Sequence, residues 1–166
     1  MGADLYIKSV YDPFNDEFNT RLKPVLAKRD SLGNGTPAFQ AYQEVTVEPL
    51  LEEYYGQDPT VNGYFRDSYN STSVLGFLGL SWWNDFKPNT KSEYTPTACK
   101  RFIRKLTAAQ EPTVQEWAAR KYTRVTLDEG ENSPESWLQY FRDKRRNLIR
   151  FFELAIDLNE PIEASV

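Results

Sequence analysis

The sequence predicts a mainly α fold, a single globular domain over residues 1–166 built as a bundle of about five or six helices. Three observations predict it. Apolar residues recur at three- and four-residue spacing along most of the chain. Helix-starting residues stand before those runs at Thr36, Thr95 or Thr97, Thr113 and Ser133, with Pro37 and Pro134 suited to the first helical position. Strand-like character is confined to the two chain ends, which are expected to form at most a short two-stranded pairing.

Each element follows from its residues. Segment 3–11 holds Leu5, Tyr6, Ile7, Val10 and Tyr11 and reads as extended, closed by Asp12-Pro13. Residues 14–32 repeat Phe14, Phe18, Leu22, Val25 and Leu26 and predict a helix that Pro24 kinks. After the Gly33-Asn34-Gly35 turn, Thr36 caps a helix carrying Phe39, Tyr42, Val45, Leu50, Leu51 and Tyr54, interrupted at Pro49. Residues 56–63 form a loop. Asn70 or Ser71 is expected to cap a helix to about Asp85 that is apolar nearly all round: Val74, Leu75, Phe77, Leu78, Leu80, Trp82 and Trp83. Such a helix belongs at the centre of the bundle. Gly76 and Gly79 within it predict another element packed closely there. The next helix runs to about Gln110 with Phe102, Ile103 and Leu106 inward, and a shorter one spans 113–127. Ser133-Pro134 starts the last and longest helix, to about Leu158, where Asn159 takes the left-handed position and Pro161 bars continuation. The tail alternates Ile162, Ala164 and Val166 and suits pairing with the N-terminal segment.

Composition excludes several classes of chemistry. The chain has no His, which removes Ser-His-Asp and Cys-His nucleophile systems, His-liganded zinc and a histidine pH switch. Its one cysteine, Cys99, removes disulfides, CxxC redox pairs and thiolate zinc cages. Lys100 and Arg101 beside Cys99 favour its thiolate, but with no base in sight it reads as a buried structural thiol. Glu44, Glu48 and Glu52 stand at four-residue spacing, yet Pro49 disturbs their helix and the usual Glu-x-x-His partner is missing. Glycine-rich phosphate loops and nucleophile elbows do not occur. The reading therefore favours a non-enzymatic chain, leaves an enzyme open, and calls for no cofactor and no metal. The first residues lack the basic and long apolar stretches of a secretory signal, and the expected location is the cytoplasm, with no membrane partner.

Charge is uneven. The net charge is −4, against a general nucleic-acid binder. Residues 1–98 hold 8 Lys/Arg against 13 Asp/Glu, while residues 99–166 hold 12 against 11. Two cationic helix faces result: Lys100, Arg101, Arg104 and Lys105 opposite Phe102 and Leu106, and Arg142, Arg145 and Arg146 opposite Trp137, Phe141 and Leu148. Such faces suit phosphates or an acidic protein patch, and they are equally what an ordinary solvated helix presents. Lys144 lies on the apolar side, where its stem is expected to snorkel.

Two further clusters are candidate binding residues. The segment 64–70 packs Tyr64, Arg66, Asp67, Tyr69 and Asn70 together just before the expected central helix. Arg66 offers a planar fork for an anion, the tyrosines offer hydroxyls and stacking faces, and Asp67 offers a proton acceptor or a partner for Arg66. The plainer reading makes them a helix cap and core. The second cluster is Trp82-Trp83, whose side chains on a helix point about 100° apart; core packing of both is the favoured reading, and the other has one of them meeting solvent or a second element. An exposed Trp is a good interface anchor.

The runs Gly2-Ala3-Asp4-Leu5-Tyr6-Ile7, Gly63-Tyr64-Phe65-Arg66-Asp67-Ser68-Tyr69-Asn70, Gly79-Leu80-Ser81-Trp82-Trp83 and Leu158-Asn159-Glu160-Pro161-Ile162 resemble a family of small bacterial and phage-borne proteins to which no activity is assigned. The resemblance covers the termini and the middle, not residues 87–132. It implies a cytosolic origin on a mobile element, and it implies that the termini and segment 64–70 share one site or one structural knot. Three functional readings stand at this point. The first is an interaction protein that binds a host macromolecule, a protein rather than a nucleic acid. The second is a small-molecule or anion-binding domain, or an enzyme, using segment 64–70. The third is RNA or DNA binding through the cationic faces.

Overall fold

The computed structural model describes residues 2–69, 72–120 and 125–166. The chain forms two compact units, residues 8–63 and residues 1–7 with 64–166. Among the described residues, no helix is long and apolar enough to cross a membrane.

The larger unit corrects the expected all-helical bundle: it is a mixed α/β fold built on a four-stranded antiparallel sheet. β1 (Gly2–Tyr6), β2 (Tyr64–Ser68), β3 (Glu93–Tyr94) and β4 (Ile162–Ser165) lie in the order β2-β1-β4-β3. The chain ends pair, with Leu5 opposite Ala164, and β1 also pairs with β2 in the register Asp4 to Arg66 and Tyr6 to Tyr64. Tight approach explains the glycine that opens β1. A Cβ on Gly2 would stand 2.5 Å from the Asp67 carbonyl oxygen, closer than any side chain tolerates. Alternation decides the faces. Ala3, Leu5, Phe65, Tyr94, Ile162 and Ala164 are buried, and Asp4, Tyr6, Tyr64 and Arg66 take the opposite face.

Helices cover the buried face. α5 (Val74–Phe77) is a single turn, capped by Ser73 and followed by Gly79 in the left-handed region at φ 72°. The expected central helix to Asp85 is thus not formed. Gly79 serves as a helix-ending turn, and no neighbour crowds a Cβ built there. α6 (Pro96–Ala108) starts at the Thr95 cap, and α7 (Val114–Ala118) starts in a capping box of Thr113 and Glu116. The expected extension of α7 toward Leu127 crosses residues 121–124, outside the described residues. α8 (Pro134–Asp157) has Ser133 at its N-cap and is followed by Asn159 at φ 52°, as its end residues require. The core is aromatic. Phe86, Tyr94, Phe102 and Phe152 form one cluster, with ring centroids 4.7–6.4 Å apart where paired. Phe77 stacks on Phe141 at 4.2 Å beside Trp117.

The smaller unit is helical. α1 (Lys8–Ser31) begins where the sequence suggests extended chain and runs through Pro13 and Pro24. α2 (Pro37–Tyr42) continues into a π-helical turn (Gln43–Val47) and α3 (Glu48–Tyr55). The π turn places Pro49 in the first turn of α3, where its missing N–H costs little. α4 (Pro59–Asn62) ends at Gly63, φ 66°, and the chain passes into β2. Tyr54 holds this unit together, stacking on Phe18 at 4.2 Å and donating to Asn15 Oδ1 at 3.1 Å.

Candidate functional site

Of the residues singled out at 64–70 and 82–83, Asp67 and Trp82 meet at one buried carboxylate. Because β2 is a strand, Asp67 shares the inward face with Phe65 and is fully buried. Its Oδ1 accepts from the Val74 backbone N–H at 3.0 Å and from Lys144 Nζ at 3.2 Å. Its Oδ2 accepts from Ser73 Oγ at 2.8 Å and Trp82 Nε1 at 2.9 Å. Four donors fill the acceptor capacity of a carboxylate. A buried charge persists only when it is paired and hydrogen-bonded in this way. Lys144 reaches inward rather than snorkelling outward, and its ammonium also donates to Tyr140 Oη at 2.9 Å. Asp67 therefore ties together β2, α5, the Trp82 turn and α8.

Arg66 projects from the opposite face. Its Nε lies 3.6 Å from Asp4 Oδ1, and Tyr64 donates its hydroxyl to the same oxygen at 2.6 Å. The Tyr64 hydroxyl is held well above its ordinary pKa, first by burial and then by that hydrogen bond to Asp4. Tyr6 stacks on Tyr64 at 5.2 Å. Tyr69 is also raised, by burial and then by the Asp4 charge. Asn70 lies outside the described residues.

Trp82 and Trp83 part company. Trp82 is buried, whereas Trp83 is 61% exposed, the larger of the exposed aromatic rings among the described residues of this unit. Trp83 sits on a braced turn. Asp85 accepts the Ser81 backbone N–H at 3.0 Å and returns its own N–H to the Ser81 carbonyl at 2.9 Å. The Trp83 N–H bonds Ser81 Oγ at 3.2 Å, and Lys105 pairs with Asp85 at 3.1 Å. Trp82 and Phe86 anchor the turn in the core on either side, 5.6 Å apart. The Tyr69 ring lies 5.6 Å from the Trp83 ring. The backbone that carries the exposed indole is thus braced on both sides.

No family model, curated protein or solved structure matches this chain. Its site is accordingly read from geometry.

The two cationic faces differ in kind. On α8, Arg142 pairs with Glu111 at 2.9 Å and Arg146 with Asp143 at 2.6 Å. Arg145 is largely buried; it donates to the Leu106 carbonyl, to Thr107 at 3.2 Å and to Ala109 at 3.1 Å, and pairs with Glu111. It closes the C-terminal end of α6, where carbonyls lack helical partners. On α6, Lys105 is taken by Asp85, but Lys100, Arg101 and Arg104 have no ion-pair partner among the described residues. Cys99 is buried, and burial pushes its thiol up to about 12. Among the described residues no group of three or more acidic or Cys side chains is placed to hold a metal ion, the glutamates 44, 48 and 52 included.

Ser73, Glu111 and Asp85 are partners that the sequence did not point to. One signal was available. An Asp alternating with Phe65, together with a Lys on the apolar side of α8, marks a buried ion pair once segment 64–68 is read as a strand.

Proposed function

We propose that this chain is a non-enzymatic interaction protein of the cytoplasm, carried on a bacterial mobile element, that docks on a protein partner through the Trp83 surface. The observation that carries this reading is the 61% exposed indole on a turn cross-braced by Ser81, Asp85 and Lys105. Trp is the residue type most enriched among interface residues that dominate binding energy. A turn whose backbone is already braced loses little further conformational freedom on docking. Tyr69 flanks it, and Tyr64, Arg66 and Asp4 supply polar contacts on the outward sheet face. The saturation of Asp67 by four internal donors speaks against a proton-transfer role for segment 64–70.

The test is affinity capture from bacterial lysate, with and without nuclease, at low and high salt. The wild-type chain is expected to retain a protein partner through nuclease and salt. Trp83→Ala is expected to lose it while keeping its circular dichroism and melting temperature. Capture that disappears with nuclease, or that survives in folded Trp83→Ala, refutes the reading.

A further inference from the structure

A groove of about 480 Å³ lies between the 87–95 loop and α6. Its charged lining is Lys87, Arg101, Arg104 and Glu93, with Thr95 and Thr97 between them. Both walls are fixed. Asn89 Oδ1 accepts the backbone N–H groups of Lys91 and Glu93, each at 2.9 Å, and Ser92 holds φ 59° while its carbonyl accepts from Ala164 at 2.8 Å. Across the groove, Phe102 and Leu106 seat α6 in the core and Thr95 caps its start.

The cations here differ from those of α8 and from Lys105. Arg142, Arg145, Arg146 and Lys105 all have carboxylate partners. Lys87, Arg101 and Arg104 have none among the described residues. Arg101 and Arg104 stand three apart on one helix, where their side chains are neighbours and repel. The one carboxylate of the lining, Glu93, is engaged by Asn89 Nδ2 at 3.4 Å. Three cations against one carboxylate leave the concave surface positive in a chain whose net charge is −4.

We propose that this groove binds a compact polyphosphate, a ligand with two or three linked phosphate groups. Positive groups approach from two walls, which suits tetrahedral anions with oxygens facing several directions. The two guanidinium groups suit bidentate contact with phosphate oxygens. The volume lies within the roughly 300–1,000 Å³ range of small-ligand sites. A long nucleic acid needs a basic track beyond the groove. Beside the groove α6 adds only Lys100, since Lys105 is already paired, and Arg142, Arg145 and Arg146 of α8 have carboxylate partners. The site stands independently of the Trp83 surface.

Titration calorimetry and thermal shift with sodium tripolyphosphate test this at low salt. The full chain is expected to bind with one-to-one stoichiometry and a raised melting temperature. Arg101→Gln/Arg104→Gln is expected to weaken binding at least tenfold with unchanged circular dichroism, and Arg146→Gln to bind as wild type. If the double variant does not fold, Lys87→Gln carries the same expectation of weakened binding. ATP that binds more tightly than tripolyphosphate assigns the phosphates to a nucleotide, and equal binding assigns them to free polyphosphate. Three results overturn the proposal: no binding at millimolar tripolyphosphate, a folded groove variant that binds as wild type, or a poly-glutamate peptide that binds as tightly.

Discussion

Asp67→Asn is expected to destabilise the larger unit by about 3–5 kcal/mol, and the structure supplies the reasoning. The carboxylate receives two donors on each oxygen: Val74 N–H and Lys144 on one, Ser73 and Trp82 on the other. An amide keeps the shape but turns one of those acceptors into a donor. Whichever way it rotates, two donors face an NH2 group. Hydrogen bonds to a charged partner contribute about 1.5–3 kcal/mol each. The substitution also leaves the Lys144 ammonium without its counter-charge, and breaking one side of a buried pair costs about 3–5 kcal/mol. These losses overlap, because Lys144 is one of the donors, so they are not added. Lys144 retains Tyr140 Oη at 2.9 Å, which favours the lower part of the range. For a chain of this length the melting temperature should fall by about 6–20 °C. Urea unfolding followed by Trp fluorescence measures it directly. Lys144→Met in the same background should then add little, since both changes disable one interaction. An Asp67→Asn midpoint within experimental error of wild type would refute the hub.

The same side-chain contacts predict four further outcomes. Arg145→Ala should cost about 2–4 kcal/mol, because three carbonyls at and just past the end of α6 and Glu111 lose a largely buried donor, whereas exposed Arg146→Ala should stay within about 0.5 kcal/mol in parallel urea titrations. Cys99, buried and pushed up to about 12, should resist a disulfide reagent in the native state at mildly alkaline pH and react at once in denaturant. Glu116 is held below its ordinary 4.5 by the Thr113 N–H of the capping box. A depressed folded value means its contribution is present above the unfolded value and is lost as pH falls through the folded one, so the acid limb of the stability curve should be shallower in Glu116→Gln. Trp83→Ala should change the unfolding midpoint by no more than about 0.5 kcal/mol, since the indole is mostly in solvent, and Trp82→Phe should lower it clearly through the lost bond to Asp67.

Helix signals were legible wherever capping chemistry is local. Thr36, Thr95, Thr113 and Ser133 each cap the helix their position suggests, and Asn159 ends α8 in the left-handed conformation. The sheet was not legible beyond the pairing of the chain ends. β2 is five residues long and β3 only two, and their partners lie tens of residues away. Segment 64–68 alternates, but Arg66 and Asp67 hide the pattern, because the inward position holds a charge rather than an apolar side chain. The same disguise misled the reading of residues 71–85. An all-round apolar run there suggested a buried helix, while Gly79 and the Ser81–Asp85 turn break it into short pieces. Core packing of both Trp82 and Trp83 is what the sequence favours; the split between buried Trp82 and exposed Trp83 comes from the Ser81–Asp85 turn and not from a helix. Which cations are paired was not foreseeable, since Glu111 lies 31 residues from Arg142 and Asp85 lies 20 from Lys105.

Site-specific photo-crosslinking tests the central claim most directly. A benzophenone amino acid is placed at position 83 and, as a control, at position 158, where Leu158 is 45% exposed on the end of α8. If the Trp83 surface is the docking site, irradiation of bacterial cells expressing the chain gives a discrete protein adduct from position 83 and not from position 158. The same adducts from both positions, or none from position 83 in the folded protein, would contradict the account.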